Sequence, residues 1–293
     1  MSKVNVNGAA FIRKLHLPQD TSNVEGKLYL LNKGGTKSIL KPLPSKPTEQ
    51  RAKKFIVDKL IHIDNKLLIP EFIYPEGFVD IGWRKQFISF PYYPSITLKA
   101  LLADPGINAD LKITYLKLIG DVLNRIRLLR PSIEGNDFAI NDLHPDNILI
   151  GKKDGKLRFC DLDACKIAGS EAFSSMYLTY YYEYLFKHPK KYITINSTES
   201  DMIYPNESTD IFCYIMMIVL QLYCNCENYH LSEEEYYNFL TYLMSIGLNS
   251  ELIDIFAKVF TDDDNINPYE FLEMLEGFIN NPKVKEFKTT YHS

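Results

Sequence analysis

Between Ala139 and Ile167 the chain reads AINDLHPDNILIGKKDGKLRFCDLDACKI, and no other segment narrows its architecture as much. Two short apolar runs, NILIG (147–151) and KLRFCD (156–161), flank a Lys-Lys-Asp-Gly turn at 152–155, a pattern that predicts a hairpin. Upstream of it, Asp142 and Asn147 stand five residues apart, with Pro145 between them to stiffen the backbone. Downstream, Asp161 closes the second run. Two aspartates and an asparagine on loops at strand ends suit phosphoryl transfer. That reaction asks for a carboxylate beside the attacking hydroxyl and hard oxygen ligands that hold Mg²⁺ on a triphosphate.

On the N-terminal side, FIRKLHL (11–17), GKLYLLN (26–32) and KSILKPL (37–43) read as three strands of an antiparallel meander, with Gly34 and Gly35 as the hairpin turn before the third. Pro42, Pro44 and Pro47 end strand pairing, and Thr48 as N-cap followed by EQRAKKFIVDKLIHI predicts a helix. LLIPEFIYPEGFVDIGW (67–83) and KQFISF (85–90) supply two further strands. Pro91, Tyr92, Tyr93 and Pro94 form a stiff extended link and the expected boundary between lobes.

Beyond Pro94 the period becomes helical. LKALLADP comes first, then LKITYLKLIGDVLNRIRLL, in which Leu116, Ile119, Leu123 and Ile126 share one face. The apolar stretch from Ile211 to Cys224, broken by Gln221, is shorter than the roughly 18 residues of a membrane span and reads as a buried helix.

Composition excludes several classes. The 293 residues carry 33 Lys+Arg and 37 Asp+Glu, a formal charge of −4, and the pI is about 5.9, which argues against nucleic-acid or anionic-membrane binding. Five scattered cysteines do not make a secreted disulfide framework, and Met1 to Ala10 lacks a signal-like apolar run, so a cytoplasmic protein is expected. In TDDDNINPYEFLEML, Ile266 and Glu270 imitate the end of a calcium loop. Counting back from Glu270 puts Asp264 where glycine must turn, so that reading fails. Cys224 and Cys226 have no second pair at metal spacing.

NDLHPDN and CDLD resemble the catalytic loop HRDLxxxN and the metal loop DFG of the protein-kinase-like superfamily, matching at Asp142, Leu143, Asn147 and Asp161. The resemblance runs from about residue 10 to 280. It implies an α+β, two-lobed fold: residues 1–91 hold a small antiparallel sheet with one helix, and residues 92–293 a mostly helical lobe. It implies ATP and Mg²⁺ as cofactors, with Asp142 as catalytic carboxylate and Asn147 and Asp161 as metal ligands. Lys41, where VAIK would stand, is expected on the phosphates, and the link from Phe90 through Tyr92 to Tyr93 on adenine. Asp58 is preferred to Glu49 as the ion-pair partner of Lys41, and Asp210 is expected to receive catalytic-loop amides. Asp163, in the glycine place of DFG, is either a cap for the next turn, the simpler reading, or part of the metal shell.

The chain departs from that pattern in four places. Gly26 is the single glycine between the first two strands, so no glycine-rich phosphate loop exists. Asn141 replaces the arginine that would accept a phosphorylated activation segment. His144, a cofactor-site candidate, stands where protein Ser/Thr kinases carry lysine, as in aminoglycoside and choline kinases. Glu199 is the best match to an APE motif, without its Ala-Pro. STDIFCYIMMIVLQL (208–222) and the closing helices look more like protein kinases. The expected acceptor is therefore a Ser or Thr hydroxyl of a protein. A small-molecule alcohol is the alternative, with Glu233, Glu234 and Glu235 as an attraction for a cation, and a pseudokinase binding module is the third reading.

Overall fold

The computed structural model describes residues 28–64, 67–81, 85–133 and 138–170, the backbone of 4–5 and 11–14, and Asp210, Cys213, Tyr214 and Met217. Six strands form the first sheet: β1 (Val4–Asn5), β2 (Phe11–Lys14), β3 (Tyr29–Lys33), β4 (Thr36–Pro42), β5 (Gly77–Ile81) and β6 (Lys85–Pro91), in the order β1-β5-β6-β4-β3-β2. The meander β2-β3-β4 is antiparallel as expected, and the two-residue β1, which the sequence did not suggest, pairs parallel with β5. Gly34 and Gly35, at φ 59° and 85°, supply the two left-handed residues that a tight hairpin turn between Lys33 and Thr36 requires.

Strand alternation gives the sheet two apolar faces. Leu31, Leu40, Val79 and Phe87 pack on one. Ile88 and Phe90 face the other with Val57 and Ile73, beneath helix α1 (Pro47–Ile61), which buries Ile56, Val57 and Leu60. The helix starts one residue ahead of the expected Thr48 cap. Pro47 takes the first helical position, where its missing N–H costs nothing, and Lys46 precedes it without a side-chain cap. In the run 67–83, strand forms at β5, while Pro70 and Pro75 interrupt the remainder; Phe72 makes an isolated bridge to Phe159. That bridge is flanked by two backbone bonds, Ile73 N to Phe159 O at 2.8 Å and Phe159 N to Glu71 O at 2.7 Å.

The expected hairpin is present as β9 (Ile148–Gly151) and β10 (Leu157–Phe159), joined by β7 (Ser95–Thr97) in the order β10-β9-β7. A second small pairing, β8 (Phe138–Ala139) with β11 (Lys166–Ile167), brackets the loops on either side of the hairpin. Helix α2 (Leu98–Ala103) is capped by Thr97, which accepts from Ala100 N at 3.2 Å. Helix α3 (Ala109–Leu129) is capped by Asn108, which accepts from Leu111 N at 2.8 Å, and it buries Leu116, Ile119, Leu123 and Ile126. Tyr214 donates its hydroxyl to Leu116 O at 3.1 Å. No helix among the described residues is long and apolar enough to cross a membrane. The loop around Gly26, Glu199, Glu233 to Glu235, Cys224 and Cys226, the calcium-like segment and the closing helices lie outside the described residues.

Candidate active site

Pairing of β8 with β11 sets the loop 140–147 against the turn that begins at Asp161. Asn141 adopts the left-handed region at φ 70°, which asparagine tolerates better than most residues, and it is buried. Asp210 holds this turn from behind. Its two oxygens accept from Ile140 N at 2.7 Å and Asn141 N at 2.9 Å, as expected of that aspartate. The Asn141 side chain donates to Ala164 O at 2.9 Å and so ties the two loops together.

Asp142 and Asn147 meet. Asn147 Nδ2 donates to Asp142 O at 3.0 Å and to Asp142 Oδ2 at 3.1 Å, so its side-chain carbonyl is the atom chemically suited to a cation. Buried His144 lies beneath them, with Nε2 3.7 Å from Asp142 Oδ1 and Nδ1 3.9 Å from Asp146 Oδ2. Burial pushes the Asp142 carboxyl up, but His144, Asn147 and Lys41 together outweigh it and leave its pKa below the usual value. Asp142 is therefore ionised at neutral pH, as a proton acceptor must be.

Lys41 of β4 shares the α1 side of the sheet, two residues on from Ile39. Its ammonium bonds Asp161, 120 residues away in sequence, and Asp163 Oδ1 at 2.8 Å. Asp161 also sits in the left-handed region, at φ 63°, a strained conformation of the kind that clusters at functional sites. Desolvation and the neighbouring charge of Asp163 push the Asp161 carboxyl up against the pull of Lys41. Asp163 goes the other way. Burial would raise it, but the ammoniums of Lys41 and Lys53 hold it well below the carboxylate range. Burial likewise opposes the charge on Lys41, and the two carboxylates keep it protonated.

No family model matches the sequence, and no curated protein matches it. Among solved structures, the chain is similar to the crystal structure of a double mutant of the Mycobacterium tuberculosis PknI kinase domain. The TM-score is 0.52 at 13% identity, over 87% of this chain and 91% of that one. The fold is protein-kinase-like.

Within that kinase-like fold, Lys41, Asp142, Asn147, His144 and Asp161 lie together. Asp58 does not join them. It follows the buried Val57 by one residue, so it points about 100° away around the helix. Its side chain is 47% exposed beside His62, at 3.6 Å, and the expected pair with Lys41 is absent. Glu49 bonds Lys46 at 3.0 Å at the surface. Asp163 is not the simple cap expected of it, since its carboxylate is taken by two lysines. Phe90 packs its ring into the core with Val57, Ile73 and Ile88. Tyr92 N donates to Lys37 O at 3.1 Å, with its ring near Lys37, so the link offers a ligand little from the Phe90 ring.

Lys53 is the residue that sequence reasoning missed. Its Nζ lies 2.6 Å from Asp163 Oδ2. The signal was its place in the row Lys53, Ile56, Val57, Leu60, which has the i, i+3, i+4, i+7 spacing of one helix face. A lysine in such a row ordinarily reads as a stem lying along apolar surface with its charge in water. Among the described residues no group of three His, Cys, Asp or Glu side chains is arranged to hold a metal. One carboxylate and one amide carbonyl nevertheless suffice for Mg²⁺ carried on a nucleotide, because that ion keeps most of its waters and phosphate oxygens.

Proposed function

We propose that this chain is an ATP- and Mg²⁺-dependent phosphotransferase, and that its acceptor is a Ser or Thr hydroxyl of a protein. The observation that carries the reading is the closeness of Asp142, hydrogen-bonded to Asn147, to the pair of Asp161 with Lys41, whose charge acts on Asp142. The donor set consists of hard oxygens, which fits Mg²⁺ and not a soft metal. Bound ATP·Mg²⁺ would supply the phosphoryl group and the cationic charge that screens it. Asp142 would orient the acceptor hydroxyl and take its proton, Asn147 and Asp161 would hold the metal, and Lys41 would neutralise the phosphates. On this reading the lobe boundary would fall between residues 91 and 92, with the link near Tyr92 at the adenine. A small-molecule alcohol acceptor is the second reading, favoured by buried His144 next to Asp142 at the lysine position of protein kinases.

Radiolabelled phosphate transfer from [γ-³²P]ATP decides between these. The purified protein is offered itself, a protein mixture and an aminoglycoside panel. Label in protein supports the first reading, and label in an aminoglycoside the second. Absence of label together with absence of nucleotide binding overturns both and leaves a binding module.

A further inference from the structure

In protein kinases the strand lysine must be held by an acidic partner on the helix for the phosphates to be gripped. Here the two acids of α1, Glu49 and Asp58, both point elsewhere, and the helix face turned toward the site carries Lys53. We propose that Asp163 is the positioning residue for Lys41, and that Lys53 docks α1 onto it, so that the strand-to-helix link runs through the metal loop with its polarity reversed.

This inference rests on the phosphotransferase reading and adds the device that holds the phosphate-binding lysine. Asp163 has a side chain only 1% exposed, with one oxygen for each ammonium: Oδ1 at 2.8 Å from Lys41 and Oδ2 at 2.6 Å from Lys53. Two lysines and two aspartates, Asp161 and Asp163, balance in charge, which is the condition for keeping such groups enclosed. The turn Leu162–Ala164 that carries Asp163 is itself fixed. Cys165 N donates to Leu162 O at 3.1 Å, and Asn141 Nδ2 donates to Ala164 O at 2.9 Å. Asp163 is therefore held by the catalytic loop and holds Lys41 in turn. Were Asp161 to hold a metal in place of Lys41, Asp163 would still anchor the lysine and leave its remaining hydrogens for phosphate oxygens. A family glycine at this position could offer no such anchor, and a helix glutamate at position 53 would add a third acid to a cluster with one base.

The test is a charge-exchange cycle on the full chain, with initial rates and calorimetric Mg²⁺-nucleotide titration for each protein. Asp163→Asn and Lys53→Glu should each raise the KM for ATP and lower kcat, by a combined factor on the order of 10 to 100. The double variant Lys53→Glu/Asp163→Asn, which puts the acid on the helix, should recover at least about tenfold over Lys53→Glu alone. If either single variant fails to fold, Lys53→Met removes the charge while keeping the stem and should raise KM for ATP severalfold. A parent protein that neither binds nucleotide nor transfers phosphate overturns the phosphotransferase reading and this inference with it. An active parent whose Asp163→Asn and Lys53→Met variants keep parental KM overturns this inference alone, as does a double variant without recovery. Rescue of Asp163→Asn by raised Mg²⁺ also overturns it, because Asp163 would then be a metal ligand.

Discussion

Asp142 and Asp163 are both loop aspartates of the same site, yet the side chain of the first is 31% exposed and that of the second 1%. Asp142 has one hydrogen bond from Asn147 to an oxygen and a histidine at longer range, so one side of its carboxylate remains for an incoming hydroxyl. Asp163 spends both oxygens on lysines brought from β4 and α1. The difference separates two ways of using one residue type. A carboxylate that is to meet a substrate needs an accessible face, while one that organises others is consumed by its partners. Asp210, with its two backbone amides, belongs to the second kind.

The largest effect is expected where the accessible carboxylate is altered. Asp142→Asn keeps shape and polarity but removes the proton acceptor, so turnover should fall by about 10² to 10⁴ with nucleotide affinity little changed. Near-parental turnover would place the chemistry elsewhere in the site. Asp161→Asn should differ in kind. Mg²⁺-ATP at about 100 times its Kd should stabilise the parent by roughly 2.7 kcal/mol in thermal melts, and this variant should lose most of the magnesium-dependent part.

Asp210 tests the consumed kind through stability. Asp210→Asn leaves one oxygen for two amides, so a buried N–H loses its acceptor at a cost of about 2 kcal/mol. Burial has pushed the Asp210 carboxyl up to about 7, against the amides of Ile140 and Asn141 and the charge of Arg130. Between about pH 4 and that value the folded state holds a proton that the unfolded state releases. The parent's contribution from this group is thus fully present at about pH 4 and is lost as the pH rises through about 7. Urea midpoints should show a parent-to-variant gap that is widest near pH 4 and narrows until pH 7 is passed. A gap that widens with pH would mean the charged form is the favoured one.

The smallest effect is expected from phosphatase. Asn141 is engaged with Ala164 O and carries no charge, so complete dephosphorylation should change the rate by less than about twofold. A large drop would show that another cation reads the phosphate.

Much of the fold was legible where a short period and a turn residue act together. The hairpin β9–β10 follows from two apolar runs around Asp154 and Gly155, and the buried row of α3 from Leu116, Ile119, Leu123 and Ile126. The closeness of Asp142 to Asn147 was legible for the same reason, since five residues with a proline leave few paths. Partners far apart in sequence were not. Helical spacing assigns Lys53 to a face but says nothing of what that face meets, and its aspartate lies 110 residues on. The preference for Asp58 rested on its mid-helix place, with Glu49 explained by the dipole of the first turn, and the position of Val57 in the core turned Asp58 outward. Strand β1, two residues long, is too short for any period to register.

The grip of Asp210 on Ile140 and Asn141 spans 70 and 69 residues. During synthesis from the N-terminus, every site residue from Lys41 to Asp163 leaves the ribosome before this aspartate does. Until it arrives, the two amides have water for a partner, and the left-handed turn at Asn141 that sets Asp142 in place lacks its brace from Asp210. A nascent chain that already holds the lysines, the carboxylates and the asparagine of the site is therefore still without the brace on the loop that would make it act.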